Sequence, residues 1–187
     1  MKKIYLLLLI ILSFTNVSNA KDLILDNLST PGKTNQDQKW FFITDRVMGG
    51  RSEGKVEIDK VQNKSCYRMS GNVTTENNGG FIQIRTSIIP NININQFNGI
   101  YIKIYGNNKK YNLFIRTGLT LAPWQYYSFS FFSPDRWIEV KAPFDEFTKS
   151  NFYQPKKLLN QKIKSIGLVA AFNDFKSDIC LSEIGFY

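Results

Sequence analysis

Apolar and polar residues alternate with a period of two through most of this chain, and that pattern narrows its possible folds more than any other feature. Ile100, Ile102 and Ile104 alternate with Tyr101, Lys103 and Tyr105, and Tyr111, Leu113 and Ile115 with Asn112, Phe114 and Arg116. Tyr67, Met69 and Val73 alternate with Arg68, Ser70 and Asn72, while Ile82, Ile84 and Ile88 share one face of another run. Residues 21–26, 40–43, 54–59, 125–132, 136–142, 164–172 and 178–187 complete a series of roughly ten short strands separated by turn residues. Helix-friendly stretches are short, at 144–149 and 156–162. Strands that are apolar on one side only must bury that side against a second layer, so the expected class is all-β, a sandwich or a barrel.

Two loops stand out from this background. In Trp40–Gly54, WFFITDRVMGGRSEG, an aromatic strand runs into Thr44-Asp45 and then Gly49-Gly50. Consecutive glycines allow positive φ or close backbone approach, Asp45 is placed to bond turn amides, and Met48 is suited to filling an irregular gap. Residues 77–85, NNGGFIQIR, repeat the device and end on Arg85. Taken singly, each is a β-hairpin-like corner.

Taken together, Trp40, Asp45, Val47, Met48, Gly49, Gly50 and Ser52, followed by Asn77, Asn78, Gly79, Gly80, Phe81 and Arg85, resemble the complex I intermediate-associated protein 30 family. Further matches are Gly106, Tyr111, Arg116, Tyr126, Phe129, Trp137 and Pro143-Phe144 with Phe147, so the resemblance covers nearly the whole chain beyond residue 20. It implies a two-sheet antiparallel β-sandwich, a galactose-binding-like jelly roll of the kind shared with many carbohydrate-binding modules. Family members include mitochondrial complex I assembly factors. Departures cluster late, where Phe152-Tyr153-Gln154 replaces the usual Arg-Gly and the last strand reads Asp178-Ile179-Cys180-Leu181.

The N-terminus reads as a signal peptide. Lys2-Lys3 precede an apolar run from Ile4 to Phe14, shorter than a membrane span, and Ser18-Asn19-Ala20 supplies small residues at a cleavage site. Cleavage after Ala20 leaves residues 21–187 as a single domain, periplasmic or secreted, in a bacterial exported protein. The segment carries two of the 24 basic residues and no acidic one, which lowers the formal charge from +9 to +7. Most of this charge is scattered lysine without a nucleic-acid signature, so nucleic acid is excluded as a partner and an anionic envelope surface remains a candidate. Cys66 and Cys180 suit an oxidising compartment and fall in strands that are commonly neighbours in this architecture. A bridge between them is worth ~4–5 kcal/mol in the chain-entropy model; two buried free thiols are the alternative.

Alternation also nominates a binding face. If the isoleucines and Leu113 point inward, Gln83, Arg85, Tyr101, Lys103, Tyr105, Phe114 and Arg116 point outward, with Trp124, Gln125 and Tyr126 adjoining. Aromatic rings stack on sugar faces while Arg and Gln bond hydroxyls, but Tyr, Trp and Arg are equally the residues of protein interfaces, and cross-strand pairs also simply cover a sheet. The chain has no histidine, which removes the common nucleophile triads and His-based zinc motifs. Asp45, Glu139, Asp145-Glu146 and Glu183 are the carboxylates left for a two-carboxylate hydrolase, and none forms a recognisable pair. No cofactor is called for. A structural Ca²⁺ would draw on Asp22, Asp26, Asp174 and Asp178, whose spacing matches no loop motif. The sequence therefore points to a non-catalytic binding or assembly-factor module. It takes a protein partner, or alternatively an envelope glycan, on a face containing Arg85, Arg116, Tyr101, Tyr105 and Trp124, with Asp45 and Asn78 shaping adjoining loops.

Overall fold

A computed structural model describes residues 22–88, 94–158 and 162–187; the expected signal peptide and cleavage site lie outside them. In chain order the strands are β1 (Leu23–Asp26), β2 (Trp40–Thr44), β3 (Glu53–Val61), β4 (Lys64–Val73), β5 (Phe81–Ser87) and β6 (Gly99–Tyr105). They continue as β7 (Lys109–Thr117), β8 (Tyr127–Ser133), β9 (Ile138–Pro143), β10 (Thr148–Lys149), β11 (Ile163–Ala171) and β12 (Phe175–Phe186). They form two antiparallel sheets. The first has the order β3-β4-β12-β6-β9, with β1 pairing the far end of β12, and the second has the order β10-β8-β7-β11-β5-β2.

The alternation read from sequence sets the packing. Met69, Ile100, Ile102, Ile104, Ile179 and Ile184 of the first sheet meet Ile82, Ile84, Leu113, Ile115, Ile166 and Leu168 of the second, all at most 1% exposed. Each such side chain contributes about 1.5–3 kcal/mol on leaving water. The helix-friendly stretch at 144–149 is a short 3-10 turn, Phe144–Glu146, followed by the two-residue β10. Too few residues carry 3.6-residue periodicity there to build a helix, and Phe144 and Phe147 are drawn into the core instead. Of the other stretch, 159–161 falls outside the described residues.

Two polar devices lock the ends of the sandwich. Buried Asp26 accepts from Trp40 Nε1 at 2.5 Å, from Tyr67 Oη at 3.1 Å and from the Leu28 amide at 2.7 Å, joining β1, β2 and β4. Cys66 and Cys180 are joined in a disulfide that ties β4 to β12.

Candidate functional site

The outer face of the second sheet is crossed by one continuous row of paired residues: Phe41, Arg85, Gly167, Phe114, Ser128 and Thr148, one from each strand. The next row runs Ile43, Gln83, Val169, Asn112 and Ser130. Directly paired residues share a face, so both rows point away from the core. Along this face β11 carries the short side chains Ser165, Gly167, Val169 and Ala171, while β5 and β7 beside it carry Gln83, Arg85, Phe114 and Arg116. The result is a shallow trough along β11 with taller walls about 10 Å apart, two strand spacings. Its floor is covered at Val169, which is fully buried, and overhung by Gln83, whose Oε1 lies 3.1 Å from where a Cβ on Gly167 would stand.

Phe114 stacks on Tyr126 with ring centroids 3.9 Å apart and 11° between planes, and the tilted Phe172 ring lies 6.0 Å from Phe114. Burial pushes the Tyr126 phenol up. Arg116 donates from Nη2 to the Ala122 carbonyl at 2.9 Å, while its Nε is buried without an acceptor. Burial, and then the charge of Arg85, pull the Arg116 guanidinium below its ordinary value. Arg85 itself has no hydrogen bond or ion pair among the described residues.

The loop between β7 and β8 frames one end of the trough. Gln125 Oε1 accepts from the amides of Leu121 and Ala122 at 2.7 and 3.1 Å. Ser150, after β10, accepts from the Tyr126 amide at 3.0 Å and lies 3.1 Å from the Trp124 carbonyl. This bracing holds the Trp124 ring out, 66% exposed.

The structure divides the face expected from sequence. Arg85, Arg116 and Trp124 come together with Gln83, Phe114 and Tyr126. Tyr101 and Tyr105 do not join them, because β6 belongs to the first sheet and its outward residues cover the opposite side of the sandwich. There Tyr101 is buried, lies across Gly185 and donates to Glu183 Oε1 at 3.0 Å, and Tyr105 packs edge-on against Trp137.

Asp45 does not lie on this face either. It is fully buried in the 3-10 turn Asp45–Met48 and accepts from the Ser52 amide and hydroxyl, the Gly80 amide and the Phe81 amide. Burial would raise its pKa, but the hydrogen bonds, led by Gly80, outweigh burial and hold it below 3.8. The two glycine pairs exist for this carboxylate, since a Cβ on Gly50 or Gly79 would collide with it. Asn78 sits exposed at the sheet rim in a turn where both it and Asn77 have φ of 56°.

Sequence reasoning missed Gly167 and Val169, whose side chains carry no chemical signal, and Phe41 and Phe172. Only strand pairing reveals that β11 is the centre of the trough.

Three of the carboxylates considered for Ca²⁺ are engaged by protein groups. Asp26 is bonded as above, Asp174 accepts from the amide and hydroxyl of Thr75, and Asp178 pairs with Arg68 at 2.7 Å. Among the described residues no three His, Cys, Asp or Glu side chains cluster in a way that would hold a metal ion. Of the hydrolase candidates, Glu139 and Glu183 flank Lys103 in the first sheet, away from the trough.

The family model described as Complex I intermediate-associated protein 30 matches residues 30–182. Compared by sequence with curated proteins, the chain has no significant match. Among solved structures it is similar to the family 11 carbohydrate-binding module of a cellulosomal cellulase of Clostridium thermocellum, with a TM-score of 0.70 at 17% identity over 89% of this chain and 94% of that one. The Clostridium thermocellum family 11 module in complex with a β-1,3-1,4-mixed-linked tetrasaccharide gives 0.68 at 16% identity, covering 88% and 94%. A family 30 carbohydrate-binding module gives 0.53 at 13% identity, covering 74% and 91%. At these identities the likeness is one of fold.

Proposed function

This chain belongs to the complex I intermediate-associated protein 30 family, and from that footing we propose that it is a non-catalytic binding module that holds a glycan chain in the trough along β11. The observation that carries this reading is the six-residue row through Gly167, which sets an unpartnered Arg85 and the Phe114–Tyr126 stack on either side of a glycine over which only the flexible tip of Gln83 leans. A saccharide chain presents hydroxyls on its edges and C–H faces above and below, and the trough offers guanidinium and amide groups beside aromatic rings. The backbone groups of β11 are already paired on both sides, so a peptide cannot add to the sheet here as an extra strand. Fold likeness to carbohydrate-binding modules supports the same reading by analogy.

A glycan array probed with the protein tests it. Gly167→Leu fills the trough, and the nearest atom to its first side-chain carbon is the flexible tip of Gln83 at 3.1 Å, which has to swing aside to admit it. Binding is expected to fall more than tenfold in Gly167→Leu while the thermal midpoint moves by only a few degrees. An array without hits, or unchanged affinity in the folded variant, overturns the reading.

A specific observation favours a second reading, a protein partner. Leu119, Leu121 and Trp124 on one loop and Phe152 and Tyr153 on the next are all more than half exposed. Cross-linking from Trp124→Cys, with the array blank, would select it.

A further inference from the structure

The two sheets differ sharply in charge. The strands of the first sheet contain seven carboxylates alongside seven cations, three of which are ion-paired: Lys55 with Glu57, Arg68 with Asp59 and Asp178, Lys103 with Glu183. The strands of the second sheet contain no Asp or Glu at all, yet carry Arg85 and Arg116 on the outer face. These two arginines stand on the strands either side of β11, Arg85 in the row of Gly167 and Arg116 in the next row, that of Ser165. Their side chains are long enough to converge over the short residues between them. A pair of half-buried like charges with no carboxylate nearby is a costly arrangement. It is relieved by an anion that accepts from both, and a guanidinium fork is built for such oxyanions.

We propose that the ligand of this face is an acidic glycan, whose carboxylate or ester-linked sulfate or phosphate is taken by Arg85 and Arg116 above the Gly167 floor. This rests on the trough being a glycan site and adds the class of glycan it takes. Gln83, in the neighbouring row, then meets uncharged hydroxyls of an adjacent residue, and Phe114 with Tyr126 supports a ring face. Arg116 keeps one guanidinium nitrogen on Ala122, so the anion also meets a loop whose position that bond sets.

The test measures binding of the protein to polygalacturonate and its carboxyl-reduced counterpart, and to dextran sulfate and dextran, in 0.15 M salt. At least one acidic polymer is expected to bind more than tenfold tighter than its neutral twin, and which one separates carboxylate from sulfate chemistry. Arg85→Gln breaks no hydrogen bond or ion pair among the described residues and is expected to erase that preference with the thermal midpoint nearly unchanged. Lys156→Gln, a cation off the sheet, is expected to leave it intact. Neutral polymers bound as tightly as acidic ones overturn the acidic class while the glycan reading stands. Equal losses in Arg85→Gln and Lys156→Gln overturn the site in favour of diffuse charge. If none of the four polymers binds and the array is also blank, the glycan reading itself falls and the acidic class with it.

Discussion

At the scale of single residues, Asp45 shows how a motif that looks functional is spent on folding. Four hydrogen bonds converge on one buried carboxylate from two loops more than 25 residues apart, so the Gly-Gly pairs and Ser52 read as a single structural device. Its pKa lies below the ordinary 3.8, so its contribution to stability is complete above that pH and drains away as pH falls through the lower folded value. Asp45→Asn keeps the shape but replaces one acceptor oxygen with a donor facing amides. It should lose about 2–3 kcal/mol at neutral pH, the cost of a buried hydrogen-bonded charge losing partners. The gap between wild type and variant should begin to narrow below pH 3.8, where the unfolded chain's carboxyl takes up a proton first, and go on narrowing until pH passes the lower folded value. Thermal midpoints of the two proteins from pH 7 to pH 2 measure this gap, and a gap that stays constant would show that the ionised carboxylate is not what matters.

At the scale of elements, alternation told which side of each strand faces the core but not which sheet the strand joins. Every inward residue named from the pattern of β5, β6 and β7 is buried, and the all-β class was legible from spacing and turns, while the choice of a two-sheet antiparallel sandwich over a barrel came from the family resemblance. What spacing could not show is that the chain crosses from the second sheet at β5 to the first at β6 and back at β7. Tyr101 and Tyr105 were grouped with Arg85 for that reason. The crossing depends on which partner strand each edge meets after dozens of intervening residues, a non-local choice with no periodic trace. The floor of the trough was invisible for a different reason, since glycine in a strand usually marks weak packing or close approach. Tyr105→Ala sits across the sandwich from the trough, and distant sites act independently. Its affinity for any glycan bound by wild type is expected to stay within about twofold, whereas Phe114→Ala should lose most of it. Titrations of both variants against the array hit decide the matter, and a large loss in Tyr105→Ala would move the ligand to the first sheet.

At the scale of the whole molecule, the two sheets divide the labour. The first holds the Arg68 and Lys103 ion pairs, the Asp26 carboxylate that reaches across to Trp40 of the second, and the Cys66–Cys180 bond, while the strands of the second present a cationic face without Asp or Glu. β12 is the hub of the first sheet, flanked by β4, β6 and β1, and it is the last strand made. Its pairing with β4 closes a long loop, because the bridged cysteines are 114 residues apart. Constraining such a loop in the unfolded chain is worth ~5 kcal/mol. The double change Cys66→Ala with Cys180→Ala should therefore lower the thermal midpoint by about 10–20 °C, at the 2–4 °C per kcal/mol expected for a domain of this size. Both cysteines lie in the first sheet and the trough lies on the second, so glycan affinity at 20 °C is expected to survive the loss. Calorimetry alongside titration at 20 °C checks both halves. A midpoint shift of only a few degrees would show that the pairing of β4 with β12 persists in the unfolded ensemble without the bond. Lost binding in a variant still folded by circular dichroism would instead show that the first sheet sets the geometry of the second through the isoleucine core they share.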